Sequence, residues 1–302
     1  MEKKLALVLG GGGSAGHAWL IGVVAGLADA GLDMTQAADL VIGASAGATA
    51  AAWVRSGMTP AELFALVLSE RAPPAGQARE RLPSLPMGAV FERMRAIGAA
   101  ADSAADLQRA MGAFGLECDA ILQAAAGPRR AMVAARLPRP DWPDRPMIVT
   151  AIDAHSGELV LFDRHSGVPL VDAVTASTAL PGLVPTHSIN GRRYIDGGVR
   201  SAENADLAAG YAQVVVLSPL GGRTRMEPGQ FEGLRRDPAW RTDLASQVED
   251  LRSQGSRVEV ITPDAGSRAA MGANMMDPAV RIHTARAGFA QGRREAARLA
   301  SS

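Results

Sequence analysis

Two glycine-rich turns stand near the start of the chain, each at the end of a short apolar run. Leu5–Leu9 leads into Gly10-Gly11-Gly12-Gly13-Ser14-Ala15-Gly16, and Leu40-Val41-Ile42 leads into Gly43-Ala44-Ser45-Ala46-Gly47. Successive glycines let backbone N–H groups converge on one point, because no side chain obstructs them. A helix starting from such a turn adds positive potential at its N-terminus. The second turn is G-x-S-x-G between a strand and a helix, the context in which the motif holds a serine hydroxyl up at a pocket. An anion cradle beside an exposed serine is the equipment of acyl transfer through a serine nucleophile.

A serine hydroxyl needs a base. Of the five histidines, His17 adjoins the glycine loop, His155 and His165 lie in turns, and His283 falls in a C-terminal helical stretch. His187, beside a polar hairpin, is the one histidine to weigh as a base, and no triad partner adjoins it in sequence. Asp196 is the better candidate. Tyr194-Ile195 delivers it at a strand end, and Gly197-Gly198 leaves open space beside its carboxylate.

Gly11-Gly12-Gly13-Ser14-Ala15-Gly16 also satisfies G-x-G-x-x-G. A dinucleotide site requires an acidic residue at the end of the second strand for the ribose. Asp39 precedes that strand, and the serine turn occupies the place such an acid would take. A lone cysteine, Cys118, forms no intramolecular disulfide and reads as packing; with scattered histidines it offers no zinc set. No metal or other cofactor is expected.

The elements that must position these residues follow from periodicity. Strands are expected at 4–9, 40–42, 147–151, 158–162, 213–217 and 257–261. Helices are expected at 17–30, from Ser45 to Val54, and from a capped start at Thr59-Pro60-Ala61-Glu62. Residues 72–86 and 137–146 are proline-rich connectors, with a helical pattern from Met87 to about Ala126 between them. Later helices are expected at 169–179, 229–254 and 277–298, and Asn190-Gly191 marks a hairpin turn. Alternating strands and helices predict an α/β fold: a central, mostly parallel sheet with helices on both faces. The whole chain, 1–302, reads as one such domain, with 60–145 a helical insertion or cap over the site. Phe91, Met94, Ile97, Leu107, Met111 and Phe114 are expected either to line an acyl channel or to be core.

The chain has 302 residues, 47% of them hydrophobic, with 31 basic and 31 acidic residues. A zero net charge argues against nucleic acid as a partner. No secretory leader and no apolar run of spanning length is visible, so a cytoplasmic protein is expected, with room for transient contact at the inner membrane surface. The oligomeric state is not set by any sequence feature.

Strand, GGGxxG, helix, then strand, GxSxG, helix, then a later DGG: this order resembles the patatin-like phospholipase family of acyl hydrolases, in its bacterial form. The likeness takes in Ala179-Leu180-Pro181-Gly182-Leu183-Val184-Pro185 ahead of Asp196 and Arg200–Asp206 after it. The resemblance implies a patatin-like α/β/α fold and cleavage of carboxylic ester bonds in a lipid or ester substrate. It implies Ser45 as nucleophile, Asp196 as its dyad partner, and the backbone of Gly11, Gly12 and Gly13 as oxyanion hole, supported by Gly16, Gly43, Gly47, Gly197 and Gly198. Many members carry a basic residue where this chain has Ala15. An acyltransferase using the same dyad, and a non-catalytic lipid-binding or regulatory relative, are the alternatives.

Overall fold

The computed structural model describes residues 4–70, 83–221 and 237–301. Its centre is an eight-stranded sheet in the order β5-β6-β3-β2-β1-β7-β8, with β4 joined to β3. The strands are β1 (Leu5–Leu9), β2 (Leu40–Gly43), β3 (Met147–Asp153), β4 (Leu159–Phe162), β5 (His187–Ile189), β6 (Arg192–Asp196), β7 (Gln213–Leu217) and β8 (Arg257–Ile261). The pairs β1–β2, β1–β7, β2–β3 and β7–β8 are parallel, and β4, β5 and β6 enter antiparallel. The β5–β6 hairpin turns at Asn190-Gly191, both with positive φ, as the Asn-Gly pair predicts.

The helices are α1 (Gly13–Asp29), α2 (Met34–Ala37), α3 (Ala46–Val54), α4 (Pro60–Ser69), α5 (Met87–Ala100), α6 (Ala104–Leu122), α7 (Ala126–Arg136), α8 (Leu170–Ser177), α9 (Leu244–Ser253), α10 (Ala265–Met271) and α11 (Arg281–Ser301). Every residue of β1 is buried, and its side chains alternate between two cores. Leu5, Leu7 and Leu9 join a cluster with α1, α3, α4 and α8, whereas Ala6 and Val8 join one with Val248 and Leu251 of α9. A strand covered on both faces must be apolar at every position, which is why β1 shows no polar alternation.

α5 and α6 cover the sheet beside β3 and β6. Met94, Leu107, Met111 and Phe114 are buried with Ile152, Leu180, Ile195 and Val199, so these side chains are core. Cys118 lies in the same cluster, which explains its type without chemistry. Phe91 and Ile97 are partly buried against it. Ile97 also faces an open depression of about 890 Å³ between α5 and α6, whose lining includes neither Ser45 nor Asp196.

Several boundaries differ from the periodicity. α1 begins at Gly13 and not at 17, because the glycine loop forms the first helical turn. The helical expectation for 229–254 holds only for α9; residues 222–236 lie outside the described part, and Pro238–Trp240 is a short 3-10 turn started by Pro and capped by Asp237. α10 is too short to leave a periodic signal. The start of α4 is as expected: the Thr59 hydroxyl accepts the Glu62 N–H at 3.3 Å, and the Glu62 carboxylate accepts the Thr59 N–H at 2.7 Å.

α1 and α11 pack backbone to backbone. A Cβ on Gly22 would stand 2.2 Å from the Ala285 carbonyl oxygen, and one on Gly26 would stand 2.1 Å from that of Phe289. Gly292 meets the Val23 carbonyl in the same way, at 2.4 Å. Backbone carbonyls cannot swing aside, so even one methyl forces these helices apart. Gly26→Ala is expected to cost about 3 kcal/mol, read as a lowered denaturation midpoint. Gly127→Ala, on α7 with open space around it, is expected to be neutral or stabilising. Equal effects of the two would contradict this packing.

Candidate active site

Ser45 follows β2 and precedes α3 with φ 55° and ψ −122°. That conformation costs a non-glycine residue on the order of 1–3 kcal/mol. The neighbourhood imposes it. The Ser45 N–H donates to the Ser177 hydroxyl at 3.0 Å, and the Ser45 carbonyl accepts the Ala48 N–H at 2.9 Å. Gly47 lies directly on β1, where a Cβ would fall 1.8 Å from the Leu9 carbonyl oxygen. Ser45 also sits at the N-terminus of α3, where negative charge on its oxygen is favoured.

Asp196 ends β6 and is 2% exposed. Its carboxylate accepts the Gly198 N–H at 2.7 Å, and its own N–H donates to the Ala179 carbonyl at 3.0 Å. Burial raises its pKa from 3.8 to about 6, opposed by a side-chain hydrogen bond with Ser45, the Gly198 N–H and the charge of Arg129. Gly197 lets the chain pass tightly over β3, since a Cβ there would stand 2.3 Å from the Thr150 hydroxyl. Asn204, fully buried, holds the following turn by donating to the carbonyls of Ser201 (2.8 Å) and Gly197 (3.3 Å).

Sheet register brings these two residues together. β3 has β4 on one edge, so β2 and β6 share the other. Gly43 is level with Val149, and Asp196 is level with Ala151, two residues further along. Ser45 lies two residues beyond Gly43 and so arrives at the height of Asp196. The glycine loop leaves the C-terminal end of β1, next to β2 in the same parallel register.

The loop corrects one expectation. The Gly11 N–H donates to the Ala202 carbonyl at 2.8 Å, so it is spent within the fold and is not free for an oxyanion. Gly11 instead permits close approach: a Cβ on it would meet the Ser45 Cβ at 3.3 Å. Among the described residues, the N–H groups of Gly12 and Gly13 donate to no partner. Gly13 has φ +62°, and a Cβ there would collide with Met275 and Met276. The Gly16 N–H donates to Gly12 O at 2.8 Å and closes the first turn.

The patatin-like phospholipase profile matches residues 7–209, a span holding the glycine loop, Ser45 and Asp196. The chain belongs to the patatin-like phospholipase family. Family membership implies, in general terms, a hydrolase of lipid esters. Among solved structures, VipD from Legionella pneumophila is similar at 14% identity and TM-score 0.45, covering 99% of this chain and 67% of that one. The type III effector ExoU, from Pseudomonas aeruginosa, is similar at 18% identity and TM-score 0.42, covering 98% of this chain. The chain spans about half the length of ExoU, 53%. Comparison with curated proteins finds no match. Among the described residues, no helix is long and apolar enough to cross a membrane.

Beyond the matched span, the C-terminal region buttresses the loop of this patatin-like chain. The Met275 carbonyl accepts the Ala15 N–H at 2.9 Å, and Arg281 donates to the Ser14 carbonyl at 2.9 Å while pairing with Glu70. The same guanidinium contacts His17 Nδ1 at 3.1 Å, and the His17 ring packs edge-on against Trp53. Burial holds His17 well below its ordinary pKa, so it is neutral. His187 is engaged elsewhere: its Nε2 lies 2.9 Å from the Asp172 carboxylate, which also pairs with Arg130. Burial lowers the His187 pKa, and among the described residues it makes no hydrogen bond to Ser45. Asp172 is thus a partner for His187 that sequence proximity hides. Ser177, Arg129 and Arg281 were likewise missed; only Ser177, just ahead of the family-like segment at 179–185, stands near a sequence signal.

The raised pKa of Asp196 makes a stability prediction. The folded state holds this proton more tightly than the unfolded chain, so its contribution is present below about 4 and is lost as pH rises through about 6. Asp196→Asn, which carries no charge, is expected to gain up to about 3 kcal/mol relative to the parent between pH 4 and pH 8. Denaturant melts at the two pH values measure it. A difference between the proteins that does not change with pH would contradict a buried, reluctantly ionised carboxyl.

Proposed function

We propose that the chain is a serine acyl hydrolase that cleaves carboxylic ester bonds of lipids through a Ser45–Asp196 dyad. The observation that carries this reading is the sheet register that brings Ser45 level with a buried carboxyl, Asp196, whose pKa is raised to about 6 with Ser45 among the groups acting on it. At neutral pH that carboxyl is ionised yet more basic than an ordinary aspartate, so it is a better proton acceptor for a hydroxyl.

In the proposed reaction the Ser45 oxygen forms a bond to the ester carbonyl carbon while its proton moves to Asp196. The carbonyl electron pair becomes an oxyanion, held by the N–H groups of Gly12 and Gly13 at the start of α1. Collapse of this adduct breaks the bond to the alcohol, which leaves with the proton from Asp196. Water then attacks the acyl-Ser45 ester, gives a proton to Asp196, and releases the acid as Ser45 recovers its proton. The strained backbone at Ser45 fixes the attacking oxygen, so positioning contributes alongside proton transfer.

Turnover of a short-chain ester by the parent, Ser45→Ala, Asp196→Asn and His187→Ala tests the dyad. Ser45→Ala and Asp196→Asn are expected to lose about a thousandfold or more in kcat/KM, with a loss of a few-fold at most in His187→Ala. Activity that survives in Asp196→Asn and vanishes in His187→Ala would overturn the assignment. Acyl products on an added alcohol in place of free acid would shift the reading from hydrolysis to transfer.

A further inference from the structure

Three consecutive residues at the end of α8 hold the proposed dyad. The Ser177 hydroxyl accepts the Ser45 N–H at 3.0 Å, and the Ala179 carbonyl accepts the Asp196 N–H at 3.0 Å. Between them, Thr178 is gripped from the helical insertion. Arg129 Nη2 on α7 donates to the Thr178 carbonyl at 2.8 Å and to its hydroxyl at 2.7 Å. That hydroxyl donates onward to the Val174 carbonyl at 2.8 Å, so the last turn of α8 is fixed.

We propose that Arg129 is a positioning residue for the Ser45–Asp196 pair, clamping the α8 turn whose Ser177 and Ala179 hold the backbones of both and supplying a positive charge that favours the Asp196 carboxylate. The inference rests on the dyad proposed above. The chemistry of the site favours a charge and not a mere tether. Arg129 Nε is sealed from solvent with no acceptor among the described residues. An enclosed guanidinium with an unsatisfied donor is costly where an apolar side chain would pack more cheaply. The carboxylate acting on it is that of Asp196, and Arg129 is the charged group acting on Asp196. Burial and Arg136 lower the Arg129 pKa to about 10, which leaves it charged at neutral pH.

The other charges nearby are accounted for. Arg136 lies on α7 itself and opposes the Arg129 charge. Arg130, the next residue on α7, pairs with Asp172 of α8, and Asp172 also holds His187 of β5. His187 feels Arg129 and Arg130 as repelling charges. Ser45 and the Gly198 N–H act on Asp196 as neutral donors.

The test is the pH profile of kcat/KM on a neutral short-chain ester for the parent, Arg129→Gln, Arg129→Met and Arg129→Lys. Activity requires ionised Asp196, so it rises with pH through about 6 in the parent. Removing the positive charge disfavours the carboxylate, and the acid limb of the Gln and Met variants is expected to move up by about one pH unit. That is about a fivefold loss at the parent's own midpoint, approaching tenfold well below it, with almost no loss at pH 9. Arg129→Lys keeps the charge and is expected to leave the limb within about a third of a unit. A Gln variant whose limb stays in place, whatever its kcat, overturns the proposal. If the Gln and Met variants do not fold, a Lys limb displaced by a full unit overturns it, and one in place supports it. A parent without ester turnover, or with turnover that persists in Ser45→Ala, sinks the dyad itself; a normal parent profile with an unmoved Gln limb sinks the role of Arg129 alone.

Discussion

A carboxyl group kept almost entirely from water is the constraint around which this structure is built. An isolated buried carboxylate is strongly disfavoured and would hold its proton at neutral pH. Asp196 is drawn back to a pKa of about 6 by three partners from separate parts of the chain: the Ser45 hydroxyl, the Gly198 N–H and the charge of Arg129. Together they fall short of full compensation, so the carboxyl stays more basic than an ordinary aspartate. Burial therefore works against stability, and in the proposed reaction it works for proton transfer at the same atom.

The fold satisfies this constraint by register and by close backbone contact. β3 carries β2 and β6 on one edge at heights that bring residues 45 and 196 level. The serine turn rests on β1 through Gly47, and the aspartate turn rests on β3 through Gly197. Both turns are then tied to the end of α8. The glycine loop is held from behind by Met275 and Arg281, which lie outside the span matched by the family profile. Strain at Ser45 persists because these contacts leave no room to relax.

Much of this is written locally in the sequence. The parallel strands read as mainly apolar runs, the serine turn is framed by small residues, and Asp196 stands between a strand and two glycines. The hairpin at Asn190-Gly191 and the start of α4 at Thr59 are equally local, and they appear where turn and cap chemistry place them. Four features were not legible because partners distant in sequence decide them. Gly11 looks like its neighbours until the Ala202 carbonyl takes its N–H. Arg129 sits among alanines and arginines with nothing to mark it as enclosed. His187 gains Asp172 only through the packing of β5 on α8. The apolar side chains of α5 and α6 fit a channel or a core equally well by pattern, and the sheet beneath them makes Met94, Leu107, Met111 and Phe114 core.

The contact between Ser45 and Asp196 is most directly measured by titrating the aspartate carboxyl carbons with carbon-13 NMR, Asp196 being assigned by comparison with Asp196→Asn. A midpoint of about 6 is expected for Asp196 in the parent, moving higher in Ser45→Ala as the hydroxyl's hydrogen bond is lost. A midpoint near 4, or one that ignores removal of the hydroxyl, would contradict the pairing.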